Sequence, residues 1–169
     1  MSSSNTIPDH ARDFLEAGTP APVFAAPVAE NHRILESEAI KGRSTLLVFA
    51  GPYCAACRGI GEDIEALRRR KGVQVVVLCQ GKAEDCVRWG ADNLLGNPLL
   101  LVDEGRKITA AFHIKETPTA VLVDEVWKVQ RYGIPGSAYR FGLMSWEVAK
   151  MAEGSTSISI SVREPTKER

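Results

Sequence analysis

Apolar runs of strand length recur along the central part of the chain. The first three are continuous, as expected of strands buried on both faces of a sheet, and the last two are joined by a tight turn near Asp124 and Glu125. These predicted strands span residues 45–50, 73–79, 99–102, 119–123 and 126–132.

Four other stretches place apolar residues at helical spacing, as Ile60 and Ile64 do in the first of them. The predicted helices span residues 54–70, 83–91, 106–113 and 138–152. Strands and helices in this order predict a three-layer α/β domain.

Polar segments flank this domain. The predicted divisions are an N-terminal tail at 1–19, the folded domain at 20–152 and a polar C-terminal tail at 153–169. Three prolines in residues 20–28 predict an extended entry to the domain, anchored by Val23 and Phe24.

Composition and charge narrow the class of protein. A chain of 169 residues, 44% of them hydrophobic, can build one well-cored domain. Lys+Arg and Asp+Glu number 21 each, so the basic excess typical of nucleic-acid binders is absent. No apolar window approaches the roughly 18 residues of a membrane span, and the N-terminus lacks the pattern of a secretory signal. We therefore expect a cytoplasmic location for the chain as given, or a periplasmic one if the native protein carries a signal or anchor.

Two of the four cysteines carry the candidate chemistry. Cys54 and Cys57 are separated by two residues, and such a pair in a chain of this size is typical of a catalytic or metal-binding site. A helix is predicted to begin at Cys54, where backbone N–H groups and the helix dipole favour a thiolate. Cys57 lies one turn further along that helix. We expect Cys54 to attack a substrate disulfide and Cys57 to resolve the mixed disulfide.

A second candidate element is Thr117-Pro118, which opens a predicted strand. Proline is tolerated at the first position of a strand. A cis bond here would lay the Thr117 backbone beside the dithiol, where its N–H and C=O could pair with a substrate strand. The sequence leaves the isomer open, because most X–Pro bonds are trans.

These two elements resemble the thioredoxin superfamily. The matching segments are 49–58 (FAGPYCAACR) and 116–119 (ETPT), and 20–24 (PAPVF) resembles an opening shared by peroxiredoxins. The long insert between the Cys54–Cys57 dithiol and Pro118 is similar to that of the membrane-tethered bacterial branch of thiol–disulfide oxidoreductases. That branch includes cytochrome-c maturation thioredoxins and the methylamine-dehydrogenase accessory protein.

The resemblance implies a thioredoxin-like α/β/α sandwich with a central mixed sheet. It also implies thiol–disulfide oxidoreductase activity on a protein disulfide, with a protein redox partner, no cofactor and no metal. By it, Cys54 is the nucleophile and Cys57 the resolving thiol. Pro118 is the cis-proline, and Tyr53, Thr117 and Pro118 are the candidate substrate-binding residues.

The sequence departs from that pattern at two positions and lacks the tethering N-terminal helix. Tyr53 replaces the Trp common before the nucleophile, and Val48 stands where thioredoxin keeps a buried acidic residue. Both departures bear on the redox potential, and the missing helix bears on the compartment.

Other interpretations remain open for the cysteines. Cys79 and Cys86 are predicted as inert core residues, with a second dithiol that relays electrons to or from the first as the alternative. Together the four thiols could hold zinc or an iron–sulfur cluster, although their spacing lacks the second short knuckle of a zinc site.

Two other functions also remain open. One is a peroxiredoxin-like thiol peroxidase, although peroxiredoxins place Thr or Ser where Gly51 stands. The other is a non-catalytic accessory or scaffold protein in which the dithiol is incidental.

Overall fold

A computed structural model describes residues 13–71 and 73–133 of the chain. The predicted helix at 138–152 and the predicted C-terminal tail lie outside the described residues.

In the part of the chain that the structure describes, the main sheet has five strands of mixed direction. Their bounds are β3 (Thr45–Ala50), β4 (Gln74–Cys79), β5 (Leu99–Val102), β6 (Thr119–Val123) and β7 (Val129–Gly133). The spatial order is β5-β4-β3-β6-β7, in which β3, β4 and β5 are parallel and the last two pairings are antiparallel. A separate two-stranded sheet pairs β1 (Ala25–Pro27) with β2 (Ile34–Glu36). The predicted α/β class with a mixed central sheet is confirmed.

Within the described residues, three α-helices connect the strands. They are α1 (Gly61–Lys71), α2 (Ala83–Asn93) and α3 (Lys107–Ala111). The first two are crossovers between parallel neighbours, from β3 to β4 and from β4 to β5, as parallel pairing requires. No helix in the described ranges is both long and apolar enough to cross a membrane.

Strand β3 lies at the centre of the sheet, and all six of its residues are buried. This is the reason that its sequence reads as a continuous apolar run rather than an alternating one. Because β3 ends at Ala50, the Gly51-Pro52-Tyr53 break emerges at the carboxyl edge of the sheet, next to the ends of β4 and β5.

The predicted helix at 54–70 is wrong over residues 54–60. A 3₁₀ turn, Ala55–Cys57, comes first, and the α-helix starts only at Gly61. The interruption has a local cause, since Arg58 is extended (ψ 138°) and Gly59 is left-handed (φ +69°).

The last strand also begins later than predicted. Asp124 Oδ1 accepts hydrogen bonds from the backbone N–H groups of Val126 and Lys128, and Trp127 has a left-handed backbone (φ +64°). Residues 124–128 are therefore a side-chain-stabilised turn, although 126–128 fit a strand by composition.

The entry segment is anchored by Phe24 but not by Val23. The Phe24 ring lies 6.2 Å from the rings of Phe112 and Trp127, whereas Val23 is 77% exposed. Further upstream, Phe14 is buried and stacks on Tyr132 with ring centroids 3.8 Å apart.

Candidate active site

The turn that carries Cys54 is clamped against the end of β4. The backbone N–H of Gln80 donates to the carbonyl of Ala50 at 3.0 Å. A Cβ on Gly51 would lie 2.9 Å from the Gln80 carbonyl oxygen, so only glycine lets the two backbones approach this closely. The chain therefore leaves β3 along a path that places Cys54 at the carboxyl edge of the sheet.

Cys54 and Cys57 form a disulfide with a Cα–Cα separation of 5.3 Å. The Cys57 N–H donates to the Cys54 carbonyl at 3.1 Å, which closes the turn between them. Cys57 is fully buried and Cys54 is half-buried. Cys54 is therefore the more accessible residue of the pair.

The electrostatic environment of Cys54 differs from the prediction. The sequence predicted Cys54 at the N-terminus of an α-helix, but Cys54 caps a three-residue 3₁₀ turn and α1 begins at Gly61. Dipole effects fall off within the first turn of a helix, so α1 does not act directly on the Cys54 sulfur.

Thr117 and Pro118 lie beside Cys54, although the chain separates them widely. The Cys54 Sγ atom is 3.3 Å from the carbonyl oxygen of Thr117, and the Thr117–Pro118 peptide bond is cis. Pro118 is buried and Thr117 is half-buried. The sulfur has no proton in the disulfide form, so this contact becomes a hydrogen bond only after reduction, when the thiol can donate to the Thr117 carbonyl.

Helix α2 supplies one wall of a groove that opens at Cys54. Its groove-lining residues follow the spacing i, i+3, i+4, i+7 and i+8, namely Asp85, Arg88, Trp89, Asp92 and Asn93. The Tyr53 side chain is 70% exposed, and its hydroxyl donates a 2.9 Å hydrogen bond to Asp85. This bond raises the pKa of Tyr53 above its ordinary value, because the phenolic proton is shared with a carboxylate. This wall was not predicted from the sequence, although the helical spacing of its polar residues indicates it.

A buried carboxylate is present near this edge, but it serves another purpose. Position 48, where thioredoxin keeps a buried acidic residue, is a fully buried valine in this chain. Asp103 is 4% exposed and accepts hydrogen bonds from the backbone N–H groups of Ile108 and Thr109 and from the Thr109 hydroxyl. Asp103 therefore satisfies the first turn of α3.

Cys79 and Cys86 form a second disulfide, with a Cα–Cα separation of 6.0 Å and both residues fully buried. They were predicted as inert core residues, and the structure instead bonds them to each other. Within residues 13–71 and 73–133, no group of three or more His, Cys, Asp or Glu side chains is arranged to hold a metal ion.

The AhpC/TSA family model matches residues 17–132, which include both disulfides and Thr117-Pro118. The chain belongs to the AhpC/TSA family. This AhpC/TSA chain is 32% identical to the methylamine utilization protein MauD of Paracoccus denitrificans over 120 residues. The match covers 70% of this chain and 57% of MauD, so the chain spans less than two thirds of that relative.

A second relative is the thiol-disulfide oxidoreductase ResA of Bacillus thuringiensis, 24% identical over 121 residues, with 70% of this chain and 69% of ResA covered. Among solved structures, a putative thiol:disulfide interchange protein DsbE from Chlorobium tepidum superposes with a TM-score of 0.61. The superposition covers 71% of this chain and 86% of the other, at 24% identity. The thioredoxin-like fold predicted from the sequence is confirmed.

Proposed function

We propose that this AhpC/TSA-family chain is a thiol–disulfide oxidoreductase that exchanges two electrons with a protein partner through Cys54 and Cys57. One observation carries the proposal: a disulfide joins a half-buried sulfur to a fully buried one, and the accessible sulfur lies 3.3 Å from the Thr117 carbonyl. The relatives named thiol-disulfide oxidoreductase support the same chemistry.

From the oxidised state, a thiolate of a partner dithiol attacks the Cys54 sulfur, because Cys57 is shielded. The Cys54–Cys57 bond breaks, the bonding electron pair leaves on Cys57 as a thiolate, and a Cys54–partner disulfide forms. The second partner thiolate then attacks the partner sulfur of that mixed disulfide and releases Cys54 as a thiolate. The partner has become a disulfide, and the chain has gained two electrons.

The reverse sequence reduces a partner disulfide. Reduced Cys54 attacks it, and Cys57 then attacks the Cys54 sulfur and releases the second partner thiol. In this direction the Thr117 carbonyl is placed to accept the Cys54 thiol proton as a hydrogen bond before the thiolate forms. Tyr53, Thr117 and Pro118 are the proposed contacts for the partner chain, since Tyr53 immediately precedes Cys54 and the Thr117 carbonyl lies against the Cys54 sulfur.

Insulin reduction driven by dithiothreitol tests the proposal. We expect the wild-type protein to accelerate insulin precipitation and Cys54→Ser to abolish the acceleration. Cys57→Ser should instead accumulate a covalent Cys54 adduct, because no second thiol is present to resolve it. Equal rates for wild type and Cys54→Ser would favour the scaffold interpretation.

The family match makes thiol peroxidase activity the natural control. Gly51 stands where peroxiredoxins place a hydroxyl residue, and its close approach to Gln80 leaves no room for a side chain. We expect hydrogen peroxide consumption by the reduced protein to be no faster than that of the Cys54→Ser variant. A rate that persists in Cys57→Ser and vanishes in Cys54→Ser would favour the peroxidase.

The second disulfide supports an oxidising compartment over the cytoplasm. A disulfide that takes no part in exchange persists where thiols are not kept reduced. We propose this location in place of the cytoplasmic expectation. Rapid alkylation of intact cells tests this location. We expect the Cys79–Cys86 peptide to be recovered as a disulfide. Recovery of Cys79 and Cys86 as two alkylated thiols would instead indicate a reducing compartment.

A further inference from the structure

The Cys79–Cys86 disulfide joins the end of β4 to the first half of α2. Both of its residues are fully buried, whereas Cys54 of the other disulfide is half-buried. Thiol–disulfide exchange needs direct access of a thiolate to a sulfur atom. The buried disulfide is therefore expected to stay closed while Cys54–Cys57 opens and closes.

Helix α2 contacts the segment that contains the accessible disulfide at two places, one before Cys54 and one after Cys57. Before the dithiol, the Tyr53 hydroxyl donates to Asp85, the neighbour of Cys86. After the dithiol, the Gly59 N–H donates to Asn93 Oδ1 at 2.9 Å, and Gly61 packs directly on the Asn93 backbone.

The end of β4 also contacts this segment, close to the end of β3. Cys79 is the register partner of Ala50, and the next residue, Gln80, donates its N–H to the Ala50 carbonyl. A Cβ on Gly81 would lie 3.1 Å from the Pro52 ring, which shows how closely the turn after β4 packs on the turn before Cys54. The two elements that cradle residues 50–61 are thus the two elements that the second disulfide joins.

Resting on the function proposed above, we propose that Cys79 and Cys86 are a positioning pair for the Cys54–Cys57 reaction. Their disulfide fixes α2 relative to β4, and α2 and β4 together keep Cys57 within bonding reach of Cys54. Without it, the segment between Tyr53 and Gly59 samples more conformations, which lowers the effective concentration of the Cys57 thiol at Cys54. The closed disulfide then forms less readily.

The test is the equilibrium of Cys54–Cys57 with glutathione, measured by acid quenching, alkylation and mass spectrometry. The variant Cys79→Ala/Cys86→Ala removes both sulfurs together and leaves no unpaired thiol. We expect its equilibrium to shift toward the reduced dithiol by about threefold or more. The equilibrium fraction of Cys54–glutathione mixed disulfide should rise, because the effective concentration of the Cys57 thiol at Cys54 is lower.

A matched control separates positioning from general loss of stability. Val129 in β7 is fully buried and lies at the opposite edge of the sheet from β5. Val129→Ala should also lower Tm by creating a cavity, yet leave the glutathione equilibrium unchanged. Equal shifts in this control and in the double variant would overturn the proposal.

A milder variant keeps the proposal testable if the double variant does not fold. Asn93→Ala removes the acceptor for the Gly59 N–H on the surface of α2 and should shift the equilibrium in the same direction. Val87→Ala, on an exposed site of the same helix, should not. If the double variant does not fold, the absence of a shift in Asn93→Ala refutes the positioning role. If it does fold, the absence of a shift in the double variant refutes it.

Two further outcomes are decisive. In the wild type, glutathione buffers that reduce the Cys54–Cys57 disulfide should leave the Cys79–Cys86 disulfide closed. Reduction of both disulfides in parallel would overturn the positioning role and favour an electron relay between the two pairs. The glutathione measurement needs no protein substrate. A failed insulin assay with a shifted glutathione equilibrium would therefore reject the proposed function while retaining the positioning pair.

Discussion

Cys54 Sγ and the carbonyl oxygen of Thr117 lie 3.3 Å apart across 63 positions of sequence. The contact places the more accessible sulfur of the disulfide against a backbone acceptor on the neighbouring strand connection. Cys57, the other sulfur of the disulfide, is fully buried. Reactivity at this site is therefore divided between an outer sulfur and an inner one.

This division predicts selective alkylation. In the reduced, folded protein, iodoacetamide should label Cys54 and leave Cys57 largely unlabelled, because Cys57 has no exposed surface. Peptide mapping after brief labelling at neutral pH measures the ratio. Cys54→Ser should take up almost no label until it is unfolded. Preferential labelling of Cys57 would contradict the assignment of the attacking sulfur.

The close approach of Gly51 and Gln80 predicts sensitivity at position 51. Gly51→Ala places a Cβ 2.9 Å from the Gln80 carbonyl oxygen, so the backbone must move to relieve the overlap. We expect the free energy of unfolding to fall by about 1–3 kcal/mol and insulin reduction to slow. Gly105→Ala is the matched control, since a Cβ there meets nothing within 4 Å. Comparable losses in the two variants, measured by urea denaturation, would argue against the steric explanation.

Two substitutions of Tyr53 should separate the contribution of its ring to KM in the insulin assay from the contribution of its hydroxyl. Its ring is largely exposed beside Cys54, so Tyr53→Ala should raise KM by roughly fivefold to tenfold through lost contact with the partner. Tyr53→Phe keeps the ring and loses only the hydrogen bond to Asp85, so its KM should change less than about threefold. A large change in kcat with an unaltered KM would remove Tyr53 from the partner surface.

Tyr132 predicts a pH dependence of stability on the alkaline side. Burial raises its pKa above the ordinary value, while its hydroxyl donates to the Phe112 carbonyl at 2.7 Å. Above pH ~10 the unfolded chain releases this proton and the folded protein retains it, so the free energy of unfolding falls as pH rises. The slope from this one group is about 1.4 kcal/mol per pH unit, and below pH ~9 its contribution is constant.

The measurement is chemical denaturation between pH 8 and pH 12. Tyr132→Phe should be less stable at neutral pH, because the Phe112 carbonyl loses its donor. It should also show a shallower decline above pH ~10, since the titrating group is gone. Parallel curves for the two proteins would show that Tyr132 is not the group responsible.

Strand positions were readable from the sequence wherever burial alone fixed them. The runs at 45–50, 99–102 and 119–123 coincide with β3, β5 and β6, since strands buried on both faces carry apolar residues at every position. The start of the first helix was not readable. Gly59 fits a helix by periodicity, and only its contact with Asn93 on α2 shows why the chain is bent there.

The amino-acid sequence by itself determined the α/β class, the close pair Cys54 and Cys57, and the proline that follows Thr117. These are local features, because periodicity and spacing act over one or two turns of chain. Only the tertiary structure decided that Thr117 meets Cys54, that Cys79 bonds to Cys86, and that α2 forms the wall of the groove. Each of these depends on strand order and crossover geometry, which bring together residues that no local pattern relates.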